Sequence, residues 1–201
     1  MFDTLRRRWY HRRLRDPAGE VLFQTPPPDE VVCLDCEASS LDPRKADILS
    51  IAALRIRNNR ILTSEALRLT LRPRGEVNPD SIRIHGLRNI DLQTGIPPET
   101  AIRRVVDFIG ARPLVGYYLE YDITLLNTLL RPWLGIPLPN PRIEVSGLYH
   151  DRKMTLIPQG FIDLRFDSLL KDLKLPQLPK HDAYNDALMT AMIYLNLRGA
   201  R

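Results

Sequence analysis

Val31-Val32-Cys33-Leu34-Asp35-Cys36-Glu37-Ala38-Ser39-Ser40 is the stretch that decides how the chain folds. Val31 to Leu34 is an apolar, partly β-branched run directly after Pro26-Pro27-Pro28, the pattern of a buried strand. Successive strand side chains point to opposite faces, so Asp35 and Glu37 share one. Two carboxylates side by side on an apolar strand repel each other and resist desolvation. A cation between them removes both penalties. The competing reading ends the strand at Asp35 and leaves both acids in a solvated loop; this stretch alone leaves both readings open.

Outward from that strand, Leu41-Asp42-Pro43-Arg44-Lys45 reads as a turn, Ile48 to Ile56 as a second strand and Asn58-Asn59 as a hairpin turn. Ile61 to Leu71 reads as a third strand, and Asp80 to Leu87 as a short helical turn that holds His85. Pro97-Pro98-Glu99 opens a helix to about Ile109, with Ile102, Val105, Val106 and Ile109 as its buried stripe and Gly110 at its C-cap. Leu114 to Tyr118 reads as a short buried strand, and Glu120 to Leu130 as a helix broken before Pro132. Ile143 to Tyr149 reads equally as a strand or a helix start; Asp163 to Leu173 reads as an amphipathic helix, and His181-Asp182 begins a last helix to Leu197. Three antiparallel strands followed by strand and helix alternation predict an α/β mixed sheet flanked by helices.

The 201 residues suit one domain, and a net charge of +5 with pI near 9.4 suits a polyanionic partner such as nucleic acid. Residues 1–30 form a basic, proline-ended extension, in which Arg6, Arg7, Arg8, Arg12, Arg13 and Arg15 crowd around Trp9, Tyr10 and Leu14. It is expected to pack on a main domain of residues 31–201 through its aromatics, with phosphate or partner contact as a further role for its arginines. The two cysteines, Cys33 and Cys36, would face opposite sides of a strand and cannot bridge, which predicts small hydrophobes in a reducing, cytoplasmic compartment. No apolar run is long enough to span a membrane.

Two more acids sit awkwardly. Asp122 begins a stripe of Leu125, Leu126, Leu129 and Leu130, though an acid at a helix start also suits the helix dipole. Asp186 falls inside the last helix beside Met189, Thr190, Ile193 and Leu197, where capping is not expected to account for it. His181, five residues earlier, carries an imidazole that could accept a proton from water.

Together these residues resemble the DnaQ-like exonucleases of the DEDDh type. Asp35-Cys36-Glu37 resembles the first motif, Asp122 in Tyr121-Asp122-Ile123-Thr124 the second, and His181-Asp182-Ala183-Tyr184-Asn185-Asp186 the third; Ile84-His85-Gly86-Leu87 is similar to a segment between the first two. The match covers about Val31 to Leu197 and is similar to the exonuclease domain of a DNA polymerase III epsilon subunit. Ala38, Ser39 and Ser40 stand where the family has threonines and a glycine, Gly116-Tyr117-Tyr118-Leu119 where it has His-Asn, and Val145-Ser146 where Asp-Thr is common.

The resemblance implies a ribonuclease H-like fold and a 3′–5′ exonuclease that hydrolyses phosphodiester bonds at single-stranded 3′ ends of DNA. Asp35, Glu37, Asp122 and Asp186 would hold two Mg²⁺ or Mn²⁺ ions, with Asp35 bridging them, and His181 would act as general base. Ala38, Ser39, His85, Tyr117 and Tyr118 would contact the terminal nucleotides, the tyrosines by stacking. The implied partners are nucleic acid and a polymerase or repair protein. An exoribonuclease and a catalytically inactive nucleic-acid-binding module of the same fold are the alternatives.

Overall fold

The structure is a computed structural model and describes residues 2–77, 81–83, 86–156 and 160–199. β1 (Glu30–Ala38) is central. Its partner β2 (Ile48–Arg57) runs antiparallel, placing Asp35 opposite Ala52 and Glu37 opposite Ser50, and the register shifts between Glu37 and Ala38. On its other side β1 pairs in parallel with β5 (Leu114–Gly116), and β5 pairs in parallel with β6 (Arg142–Glu144). β2 also carries β3 (Arg60–Ile61) and β4 (Leu67–Thr70), both antiparallel. The result is the expected mixed sheet, antiparallel first and parallel after.

β1 is apolar on both faces because both are covered. Val32, Leu34 and Cys36 join a core built with α3 (Pro98–Ile109) and α4 (Leu119–Leu134). Val31 and Cys33 face the opposite way, onto α5 (Val145–Leu156), α6 (Phe166–Asp172) and α7 (Ala183–Gly199). Cys33 and Cys36 are buried and free, on opposite faces. A short α2 (Asn89–Leu92) closes a small satellite cluster of Leu49, Val77 and Leu92.

Several expected boundaries move. The third strand is interrupted by a 3₁₀ turn at Thr63–Glu65, closed by backbone bonds from Glu65 N to Leu62 O and from Ala66 N to Thr63 O. α4 runs through Pro132 to Leu134: Leu134 is fully buried and Trp133 packs on the core, so tertiary contact keeps the last turn helical until Gly135, at φ +74°, ends it. Residues 143–149 combine both readings, the end of β6 and the first turns of α5. α6 begins only at Phe166, since the Asp163 carboxylate turns back to accept from Arg165 N and Ser168 Oγ. Only Ser81–Arg83 of the expected 80–87 turn are described as helical, and His85 lies outside the described residues.

The N-terminal segment is part of the same packed body. After α1 (Phe2–Arg12), a 3₁₀ helix at Pro17–Phe23 inserts Leu22, fully buried, into the core shared by α3 and α4, with Tyr10 and Leu14 packed beside it. The approach is close: a side chain on buried Gly19 would meet Leu14 Cδ1 at 2.6 Å and Leu134 Cδ1 at 3.0 Å. Among the described residues, no helix is long and apolar enough to cross a membrane.

Candidate active site

The C-terminal end of β1 gathers acids from three elements. Asp35 and Glu37 are both half-buried on the face turned toward α7. The residues opposite them on β2, Ala52 and Ser50, are small. Asp186, in the first turn of α7, comes to the same two acids. One oxygen each of Asp35, Glu37 and Asp186 lie within 4.8 Å of one another.

Asp186 corrects one expectation. It is an acid of the helix start rather than the helix interior, and its Oδ2 accepts from His181 N at 2.9 Å, tying down the residue that precedes the helix. Its Oδ1 is buried without a hydrogen-bond partner. Asp182 performs the capping, with Oδ1 accepting from Asn185 N at 2.9 Å. His181 sits at φ +58° with its side chain exposed, at the edge of the acid cluster.

Asp122 arrives from the other face of the sheet. β5 ends at Gly116 and pairs only with Val32 and Cys33, so further along β1 the Cys36 N–H finds a side chain instead of a strand. That side chain is Asp122, whose Oδ1 accepts at 2.9 Å and which is 4% exposed. Asp122 is not one of the three mutually close acids, but among charged neighbours it bears most strongly on Asp35.

The electrostatics differ from those of an ordinary buried acid. Glu30, at the opposite end of β1, is also buried, yet Arg112 and Arg57 both bond it and overcome the upward push of burial, so its pKa is lowered. No arginine or lysine is hydrogen-bonded to Asp35, Glu37 or Asp186 among the described residues. Burial, then Asp122, Asp186 and Glu37, hold the Asp35 carboxyl well above the usual range. Glu37 is pushed up to about 7 by burial and by Asp186 and Asp182. Burial raises Asp122 to about 8 despite its bonds to Cys36, and burial also raises Asp186. Three crowded carboxylates with an orphaned buried oxygen fit a hard, oxygen-loving cation.

The residues read as nucleotide contacts are distributed around this end. Ala38 is half-buried just past the register shift. Ser39 is used by the fold: its N donates to Asp47 O and its Oγ accepts from Asp47 N, both at 2.9 Å, while its carbonyl accepts from Ser81 Oγ at 2.8 Å. The Tyr117 hydroxyl donates to Leu164 O at 2.9 Å and its ring packs on Phe166. Tyr118 is 71% exposed in the left-handed region at φ +54°, its ring edge-on to Tyr117.

Sequence reading passed over two residues. Tyr121 donates its hydroxyl to Ser40 O at 2.5 Å, bracing the loop after β1 against α4, and burial beside Asp122 raises its pKa to about 12. Its place directly before Asp122 was the available signal. Glu144 caps two helices at once, with Oε2 accepting from Leu119 N at 2.9 Å and Oε1 from Ser146 N at 3.2 Å. An acid two residues before Ser146, where a helix begins, has the spacing of an N-cap.

The exonuclease family model (RNase_T) matches residues 32–194. A DNA polymerase III PolC-type of Thermotoga petrophila is 24% identical over 82% of this chain, which spans only 11% of that relative's length. A DNA polymerase III subunit epsilon of Rickettsia felis is 28% identical over 85% of this chain and 74% of its own. Among solved structures, E. coli Exonuclease I in complex with a dT13 oligonucleotide superposes with a TM-score of 0.68 at 16% identity, covering 85% of this chain and 41% of that one. The likeness is one of fold, the ribonuclease H-like sheet expected from the motifs.

Proposed function

The chain belongs to the exonuclease family, and from that premise we propose that it removes nucleotides from the single-stranded 3′ end of DNA. The observation that carries the proposal is the meeting of Asp35, Glu37 and Asp186, one oxygen each within 4.8 Å of one another, together with an Asp186 oxygen that is buried without a partner. These three, with Asp122 beside Asp35, would hold two Mg²⁺ or Mn²⁺ ions. When bound, such ions supply positive charge at the scissile phosphate and activate water as the nucleophile. The similarity to DNA polymerase III relatives and to an exonuclease solved with a DNA oligonucleotide supports DNA as the substrate.

Each residue then has a task. His181 takes the proton of the attacking water and passes it to solvent. The water oxygen bonds to phosphorus, the bond to the 3′ oxygen of the preceding nucleotide breaks, that oxygen takes a proton from solvent to become the new 3′ hydroxyl, and a nucleoside 5′-monophosphate leaves. The tether from His181 N to Asp186 Oδ2 keeps the base beside the acids. Exposed Tyr118 offers a stacking face to the terminal base, and Tyr117, anchored through its hydroxyl, supports it edge-on. Ala38, Ser39 and His85 remain proposed contacts to the same nucleotides. A polymerase or repair protein as partner is supported by the relatives, and a cytoplasmic location by the two free cysteines.

The test is degradation of end-labelled single-stranded DNA and RNA with Mg²⁺, with Mn²⁺ and with chelator. Release of monophosphates from the 3′ end of DNA, abolished by chelator, is the expected result. Activity indifferent to chelator overturns the metal assignment, and faster loss of RNA overturns the substrate.

A further inference from the structure

The face of α1 turned away from the protein carries chemistry that the catalytic site does not use. Leu5, Arg8, Trp9 and Arg12 recur at helical spacing and share one side, and Arg13 follows at the end of the helix. All five are exposed, Leu5 at 57% and Trp9 at 50%, while Tyr10 and Leu14 pack on the core. The Arg13 guanidinium lies 4.1 Å from the centre of the Trp9 ring. From Leu5 to Arg15 the chain has six arginines and no acid. Such a face matches a polyanion that also presents flat, stackable rings.

Its place in the fold specifies the register. The segment after α1 is fixed to the far end of α4, where Arg15 N donates to Leu134 O at 3.0 Å. Asp122 stands at the catalytic end of the same helix, and the twelve residues between span about 18 Å. Between the two ends lies a cavity of about 510 Å³ lined by Arg72, Arg74, Arg103 and Trp133, where Asp47 and Glu99 offset two of the three positive charges. The strong anchor is therefore α1 rather than the route to it.

We infer that the outer face of α1 is a second nucleic-acid contact, which grips the backbone of the strand about five or more nucleotides before its 3′ end. The inference rests on the proposed exonuclease reading. Arg8, Arg12 and Arg13 neutralise phosphates, and the Trp9 ring stacks on a base.

The test compares the parent with Arg8→Gln/Arg12→Gln/Arg13→Gln and with the same three positions changed to Lys. Affinity for a 15-nucleotide oligothymidylate is read by fluorescence anisotropy with chelator present, so that no turnover is involved. The glutamine variant should bind about tenfold more weakly, and its slope of log affinity against log salt should flatten by about 2. The lysine variant should restore most of both, while kcat/KM on a 4-nucleotide substrate with Mg²⁺ stays at the parent value. Unchanged affinity for the long strand, or equal losses on long and short substrates, overturns the inference. So does a glutamine variant that loses only its binding to vesicles containing anionic lipid, which would make α1 a membrane-surface contact. If the parent binds the long strand but hydrolyses nothing, the exonuclease reading fails, and the affinity and salt slope still judge the α1 contact.

Discussion

Asp186 performs two tasks with its two oxygens: one holds His181 N, and the other is buried without a partner. Asp186→Asn keeps an oxygen for the tether and removes the charge. Turnover should therefore vanish in a labelled-strand assay. The melting temperature in chelator at pH 8 should hold or rise, because burial already disfavours this carboxylate in its charged form. His181→Ala should lower kcat by about 10²–10⁴-fold, the range for loss of a general base. Divalent affinity, measured by titration calorimetry, should be nearly unchanged, and a large loss there would make His181 a ligand. Both residues were visible in the sequence through their five-residue spacing. The tether between them was not, because it depends on the left-handed turn at His181, which propensity does not foretell.

Among the elements, the junction of β5, β6 and two helices does most to place the second acid. β5 is only three residues long, Tyr118 turns the chain left-handed, and α4 must start at once if Asp122 is to reach Cys36 N. Glu144 makes that start firm by accepting from the first N–H of α4 and capping α5 in the same gesture. Glu144→Ala should lower stability by about 1–2 kcal/mol, the usual scale of a lost cap. It should also reduce kcat through looser placement of Asp122, with thermal melts and steady-state kinetics as the two readouts. The β1–β2 hairpin and α3 were legible because alternation and caps are local signals. The split between β3 and β4 and the passage of α4 through Pro132 were not, since both are decided by what packs against them.

For the molecule as a whole, the acid cluster sets stability against pH. Glu37 has an ordinary pKa of 4.5 and a folded value of about 7; Asp122 moves from 3.8 to about 8. In each case the folded state binds the proton more tightly than the unfolded chain, so stability is greatest below the unfolded pKa and falls as pH rises through the folded one. In chelator, the melting temperature should therefore drop between about pH 4 and pH 8 by roughly 5 °C or more. Mg²⁺ or Mn²⁺ at pH 8 should recover it by binding only the folded form. A flat profile in chelator would show that the acids do not crowd one another in solution.

The family match opens at residue 32, yet Leu22 lies wholly out of water between the 3₁₀ segment and the helices that back β1. The buried core thus reaches back beyond the start of the family match. A fragment excised at the match would carry an open leucine-sized hole, a defect of about 2–5 kcal/mol. Transplanting this catalytic unit into another polypeptide would require the preceding arginine-rich segment to travel with it, as the plug that closes its hydrophobic interior.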